Sequence, residues 1–191
     1  MSSIVGHAAA GITVFLSCAR WRDPRSRWVL VPCVILAICA DFDYFAVWAF
    51  GYAASPRFTH SIVFALAVAV VARVAMRGAI AARISITGLL AASLSHPVLD
   101  LLVGAHAVPL LWPLGAETSI SIGVLPSAGA LDPANYYLWR NLLIESGLLL
   151  PVFALVIALA RRTAGRDMAT RAILIAPVWL VFVAWSISLP R

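Results

Sequence analysis

Six apolar stretches, at about 4–19, 28–50, 61–76, 84–102, 142–160 and 172–189, alternate along the chain with short polar segments. They show neither the strict alternation of a half-buried strand nor a heptad seam, and each is close to the roughly 20 residues an α-helix needs to cross a bilayer. The pattern predicts an all-α, polytopic transmembrane helix bundle of about six spans, forming a single integral membrane domain over 1–191. Several stretches are near the short limit, which tilt or local thinning of the bilayer accommodates. The connection at 103–141 is expected to be partly irregular. Its Pro109, Pro113, Pro126 and Pro133, with Trp112, Tyr136, Tyr137 and Trp139, read as a cap at the membrane interface.

Composition agrees: 63% of residues are hydrophobic and 12% charged, whereas an ordinary soluble domain has about 25% charged residues. The net charge of +6 comes wholly from arginine, because the chain has no lysine. A basic chain could suit nucleic acid, yet these arginines sit in clusters between apolar runs, so no nucleic-acid partner is expected. Arg20, Arg22, Arg25 and Arg27 follow the first stretch, Arg73, Arg77 and Arg83 the third, and Arg161, Arg162, Arg166 and Arg171 the fifth. The intervening connections carry only Arg57 and Arg140. Rich and poor loops therefore alternate, and the positive-inside rule places the rich ones on the cytoplasmic side of the membrane. Both termini then face the extracytoplasmic side.

Cys18, Cys33 and Cys39 lie inside apolar stretches without metal-ligand spacing and read as small buried hydrophobes. No basic residue precedes the first stretch and no A-x-A site follows it, so that segment is expected to stay in the mature protein.

The chemistry lies in the few ionisable groups within the apolar runs: His7, Asp41, Asp43, His60, His96, Asp100 and Glu145. Each intramembrane carboxylate costs roughly 2.5–3.5 kcal/mol on insertion scales, so these groups need a partner. The arginine-derived orientation puts all of them in the outer halves of their spans. Imidazole and carboxylate together suit a divalent cation, zinc foremost, with manganese or iron also compatible, as one ion or two. His96 and Asp100, at i and i+4, share a helix face. Asp41 and Asp43, two apart, serve one site only if one binds metal and the other supports it, or if the helix is locally irregular. The expected ligands are His7, Asp43, His60, His96 and Asp100. Asp41 or Glu145 is the expected general base. Arg57 and Arg140 are expected to hold an anionic head group. Thr59 is expected either to cap a helix or to bond a ligand. Ser61 is a weaker candidate for a nucleophile. Small residues at Ala8, Ala9, Ala10 and Gly11 permit close approach by a neighbouring span. His106 could serve as a hydrogen-bonding histidine, whereas Glu117 and Asp132 read as surface groups.

In this order, His7-x-x-x-Gly11, Ala40-Asp41-Phe42-Asp43, Arg57-Phe58-Thr59-His60-Ser61, Ser95-His96-Pro97-Val98-Leu99-Asp100 and Leu111-Trp112-Pro113-Leu114 resemble the YdjM-like family of bacterial inner-membrane proteins, over roughly residues 1–145. The resemblance implies a membrane-bound, metal-dependent hydrolase, some relatives of which are associated with the LexA-controlled damage response. It carries the family's motif residues onto His7, Asp41, Asp43, His60, His96 and Asp100. The chain departs from the family pattern at Ala40, where proline is frequent, and at Pro56-Arg57-Phe58, where His-Arg-Gly is frequent.

Together these readings imply hydrolysis of a phosphoester or ester bond in a membrane lipid or lipid-linked substrate, at a site facing the periplasmic side. Two alternatives stand beside it: a metal-ion or proton-coupled transporter, whose polar groups would continue to the cytoplasmic face, and a structural membrane protein with an inert, closed metal site. The zincin motif H-E-x-x-H is absent.

Overall fold

The computed structural model describes residues 2–19, 24–51, 56–76, 78–104, 107–115, 123–127, 132–163 and 165–189. Among them there are helices and no strands. In chain order these are α1 (Ile4–Cys18), α2 (Arg27–Ile38), α3 (Asp43–Phe50), α4 (Ile62–Ala75), the short α5 (Gly78–Ala81), α6 (Ile86–Val103), α7 (Tyr136–Ala160) and α8 (Arg166–Ser188). A 3-10 turn, Cys39–Phe42, joins α2 to α3 within one 24-residue apolar span, Arg27–Phe50. That span, α6, α7 and α8 are long and apolar enough to cross a membrane. The apolar helices α1 and α4 have 15 and 14 residues, about 21–23 Å of rise against a hydrocarbon core of about 30 Å.

Serine and asparagine start these helices by accepting N–H groups that the first turn leaves without intrahelical partners. Ser3 accepts from Gly6, Ser61 from Phe64, Ser85 from Gly88 and Asn135 from Tyr137. Asn135 thus starts α7 ahead of the expected apolar run. The cap before α4 is Ser61, which frees Thr59 for another role.

α1 is central and packs on α2, α6 and α7. A Cβ at Gly11 would stand 2.7 Å from the Cys33 carbonyl oxygen and 2.8 Å from the Val34 Cα, so only glycine allows this approach of the α1 and α2 backbones. At one end of the bundle Phe15, Ala19, Val29, Cys33, Leu36, Ala69, Ile84, Leu89 and Ala92 form a dry core from α1, α2, α4 and α6. Arg161, at the end of α7, bonds the Leu16 and Ala19 carbonyls at the end of α1. Arg161 and the residue after Arg83 therefore belong to the same end as the close of α1. A second core, including Leu99, Val103, Leu125, Ile144 and Leu148, joins α6 to α7 and α8.

The described parts of the 103–141 connection fold onto the opposite end. Leu102 O accepts from Val124 and Leu125, Leu110 O accepts from the Ile62 N–H, and Asn141 donates to Ser127 O.

Candidate metal centre

Four segments bring ionisable side chains to one place at the capped end. His7 lies in the first turns of α1, and Asp41 on the 3-10 turn between α2 and α3. His60 closes the 3-10 turn Phe58–His60 before α4, and His96 and Asp100 lie one turn apart on α6. All five side chains are buried.

Their inner atoms face one another. His60 Nε2 is 3.6 Å from Asp41 Oδ1 and 3.4 Å from Asp100 Oδ2. His96 Nε2 is 3.8 Å and 3.3 Å from the same two oxygens. None of the four atoms has a hydrogen-bond partner, although buried polar atoms nearly always do. Neighbouring donors around a small divalent ion held at about 2.0–2.2 Å stand roughly 2.8–3.6 Å apart. The observed spacings meet that range or need a contraction of a few tenths of an ångström, roughly the tolerance expected of a metal site. Two overlapping trios have ligand atoms within 4.8 Å of one another: His60, His96 and Asp100, and His7, Asp41 and His96. The residues present therefore fit a divalent cation.

The outer atoms of these side chains are engaged, which aims the inner ones. His96 Nδ1 is 2.7 Å from Ala37 O, a carbonyl next to the point where the α2 ladder changes from i+4 to i+3 bonding. Asp100 Oδ1 accepts the Ser2 N–H at 3.0 Å. His60 Nδ1 is 3.0 Å from Thr59 Oγ1. His7 stacks on His96 with ring centroids 3.8 Å apart. Its Nε2 is 3.1 Å from Ser2 Oγ and 3.4 Å from Asp100 Oδ1, while its Nδ1 is buried without a partner.

Several expected roles fall differently. Asp43, expected on the metal, has its carboxylate occupied by Arg57 through Nε at 2.7 Å and through Nη2, and by the Thr59 hydroxyl at 3.0 Å. It stands behind His60, 4.0 Å from Nδ1. Asp41, expected as the base, instead turns Oδ1 into the cluster. The 3-10 turn divides the two acids between an inner and an outer position. Glu145, the other candidate base, accepts the Ser3 N–H at 3.1 Å and lies against Gly6. It ties α7 to the N-terminus of α1, where a carboxylate meets the positive end of the helix dipole.

Arg57 packs 4.5 Å from the Tyr44 ring. Burial works against its charge, but the Asp43 bonds outweigh this and its pKa is raised. Arg140 bonds Asn141 and lies over Tyr137, 5.0 Å from the ring. Ser61 is a helix cap. Asp132 is exposed and bonds the Ala134 N–H. His106 and Glu117 lie outside the described residues. The sequence reading missed Ala37 and Ser2, the first acting through its carbonyl and the second through its N–H and hydroxyl, and Arg161, whose place in a basic loop conceals its bonds to α1.

A helical bundle with apolar spans and a buried imidazole–carboxylate cluster defines a polytopic membrane protein able to hold a metal. The family described as YdjM inner membrane protein matches residues 1–188, and the chain belongs to it. Family and apolar helices together support an inner-membrane location. No curated protein and no solved structure matches.

Proposed function

We propose that this chain is a metal-dependent hydrolase of the inner membrane, acting on a phosphoester or ester bond of a lipid or lipid-linked substrate from the periplasmic side. One observation carries the reading: four buried, unpartnered donor atoms, His60 Nε2, His96 Nε2, Asp41 Oδ1 and Asp100 Oδ2, face one another at 3.3–3.8 Å. In this reading they hold one ion, with zinc best suited to the mixed nitrogen and oxygen set. His96 has one nitrogen to give, because the other is spent on Ala37, so two ions could not both use it.

A bound divalent ion supplies Lewis acidity and lowers the pKa of a bound water toward neutrality. The chain's own groups supply the rest. His7 shares Nε2 between Ser2 and Asp100, and its partnerless Nδ1 is the position from which it takes the proton of the attacking water. Ser2 orients both His7 and Asp100. The Arg57–Asp43 pair and Tyr44 form the charged edge of the site, and there Arg57 meets an anionic head group while remaining tied to Asp43. Exposed Phe42, Phe45, Trp48 and Phe58 flank that edge and suit the acyl boundary of the bilayer. The dry core at the arginine end argues against a transport pathway, which would need polar groups continuing through it.

The test is hydrolysis of a panel of phospholipids, isoprenoid phosphates and lipid carboxylic esters in detergent. Turnover that chelator abolishes and zinc restores is expected, with His7→Ala retaining metal and losing turnover. Inactivity of the metal-loaded protein across the panel would reject the hydrolase reading.

A further inference from the structure

The hydrogen-bond chain running from Arg57 to His60 has a direction that follows from its donors. Arg57 donates two hydrogen bonds to the Asp43 carboxylate. A carboxylate so held only accepts, so the Thr59 hydroxyl donates to Asp43 Oδ2 at 3.0 Å. A hydroxyl has one proton. Its oxygen, 3.0 Å from His60 Nδ1, is therefore left to accept from the ring, which puts the His60 proton on Nδ1. Nε2 is then a bare lone pair, and it is the atom that is buried, unpartnered and 3.4–3.6 Å from Asp100 and Asp41.

We infer that Thr59 and Asp43 are positioning residues: through the relay Arg57–Asp43–Thr59–His60 they fix the tautomer and orientation in which His60 Nε2 binds the metal. The inference rests on the reading of His60 as a ligand. It gives Asp43 a function without placing it on the ion, and it makes Thr59 more than a turn residue. His96 reaches the same state by a simpler route, with Ala37 O accepting its Nδ1–H. A hydrogen bond of this kind to the remote ring nitrogen typically changes metal affinity about 10- to 100-fold when removed.

The test measures zinc affinity by chelator competition on the full chain in detergent micelles. Thr59→Val keeps the side-chain shape and removes both hydrogen bonds, and weakening of about 10- to 100-fold is expected. Asp43→Asn should weaken zinc less, by about 10-fold, and Thr59→Ser should restore wild-type affinity. A merely structural role for Thr59 would lower stability in Thr59→Val while leaving zinc affinity unchanged, and that result overturns the inference. Nitrogen-15 shifts of the His60 ring in the unmutated, metal-free protein give an answer that does not depend on any variant folding. A protonated Nδ1 supports the relay and a protonated Nε2 overturns it. His60→Ala separates the two readings. If it leaves zinc affinity unchanged, the ligand assignment fails; if it loses zinc while Thr59→Val does not, the relay alone fails.

Discussion

α1 and α6 run through two unlike halves of this bundle. Toward the arginine-bearing turns, α1, α2, α4 and α6 meet through Phe15, Val29, Cys33, Ala69, Leu89 and Ala92, an interior to which the described residues bring no imidazole, carboxylate or guanidinium. Toward the capped end, α1 and α6, joined by the 3-10 turns flanking α3 and α4, meet through His7, Asp41, His60, His96 and Asp100. Close packing and dispersion hold the first half. The second half concentrates groups that each oppose membrane insertion, and its inner atoms satisfy none of one another's hydrogen-bonding capacity. A fold that keeps such atoms face to face beside an apolar core offers a donor set that could hold a metal ion.

The contrast breaks most sharply by mutation of each half in turn. Leu89→Ala in the dry half should cost about 2–5 kcal/mol in a denaturant titration in micelles, with metal content unchanged. Loss of metal in that variant would mean the halves are not separable. For the polar half, chelation should lower stability in the same titration, because an ion at about 100 times its Kd contributes about 2.7 kcal/mol. His60→Ala should be insensitive to chelator. Gly11→Ala tests the crossing that carries both halves, and the collision with the Cys33 carbonyl should cost about 1–3 kcal/mol. An unchanged midpoint would show that α1 and α2 part there freely. Arg161→Gln removes the bracket on the α1 C-terminus and should cost about 0.3–1 kcal/mol, with zinc affinity held at the wild-type value.

The sequence made much of this legible because membrane segments report themselves through long apolar runs and arginine spacing. His7, His60, His96 and Asp100 group from the sequence alone, since the alternation of arginine-rich and arginine-poor loops sets them all toward the same end of their spans. That Asp41 and Asp43 divide their roles is legible from their spacing, but which of them turns inward is not. It depends on three-residue turns replacing α-helix over Cys39–Phe42, which no propensity in an unbroken apolar run announces. Glu145 looked like part of the same group because it shares their depth, yet its partner is the Ser3 amide, and backbone groups carry no sequence signal. On the sequence alone Thr59 reads as a cap or a ligand partner and Ser61 as a weak nucleophile candidate. The structure gives the cap to Ser61 and the histidine to Thr59.

Elemental analysis of the purified protein, beside His96→Ala and Asp100→Ala, tests the central claim most directly. We predict about one tightly held divalent ion per chain in the wild type, lost from both variants while they remain folded. Full metal content in both variants, or a folded wild type that takes up no ion when offered zinc, would contradict the account.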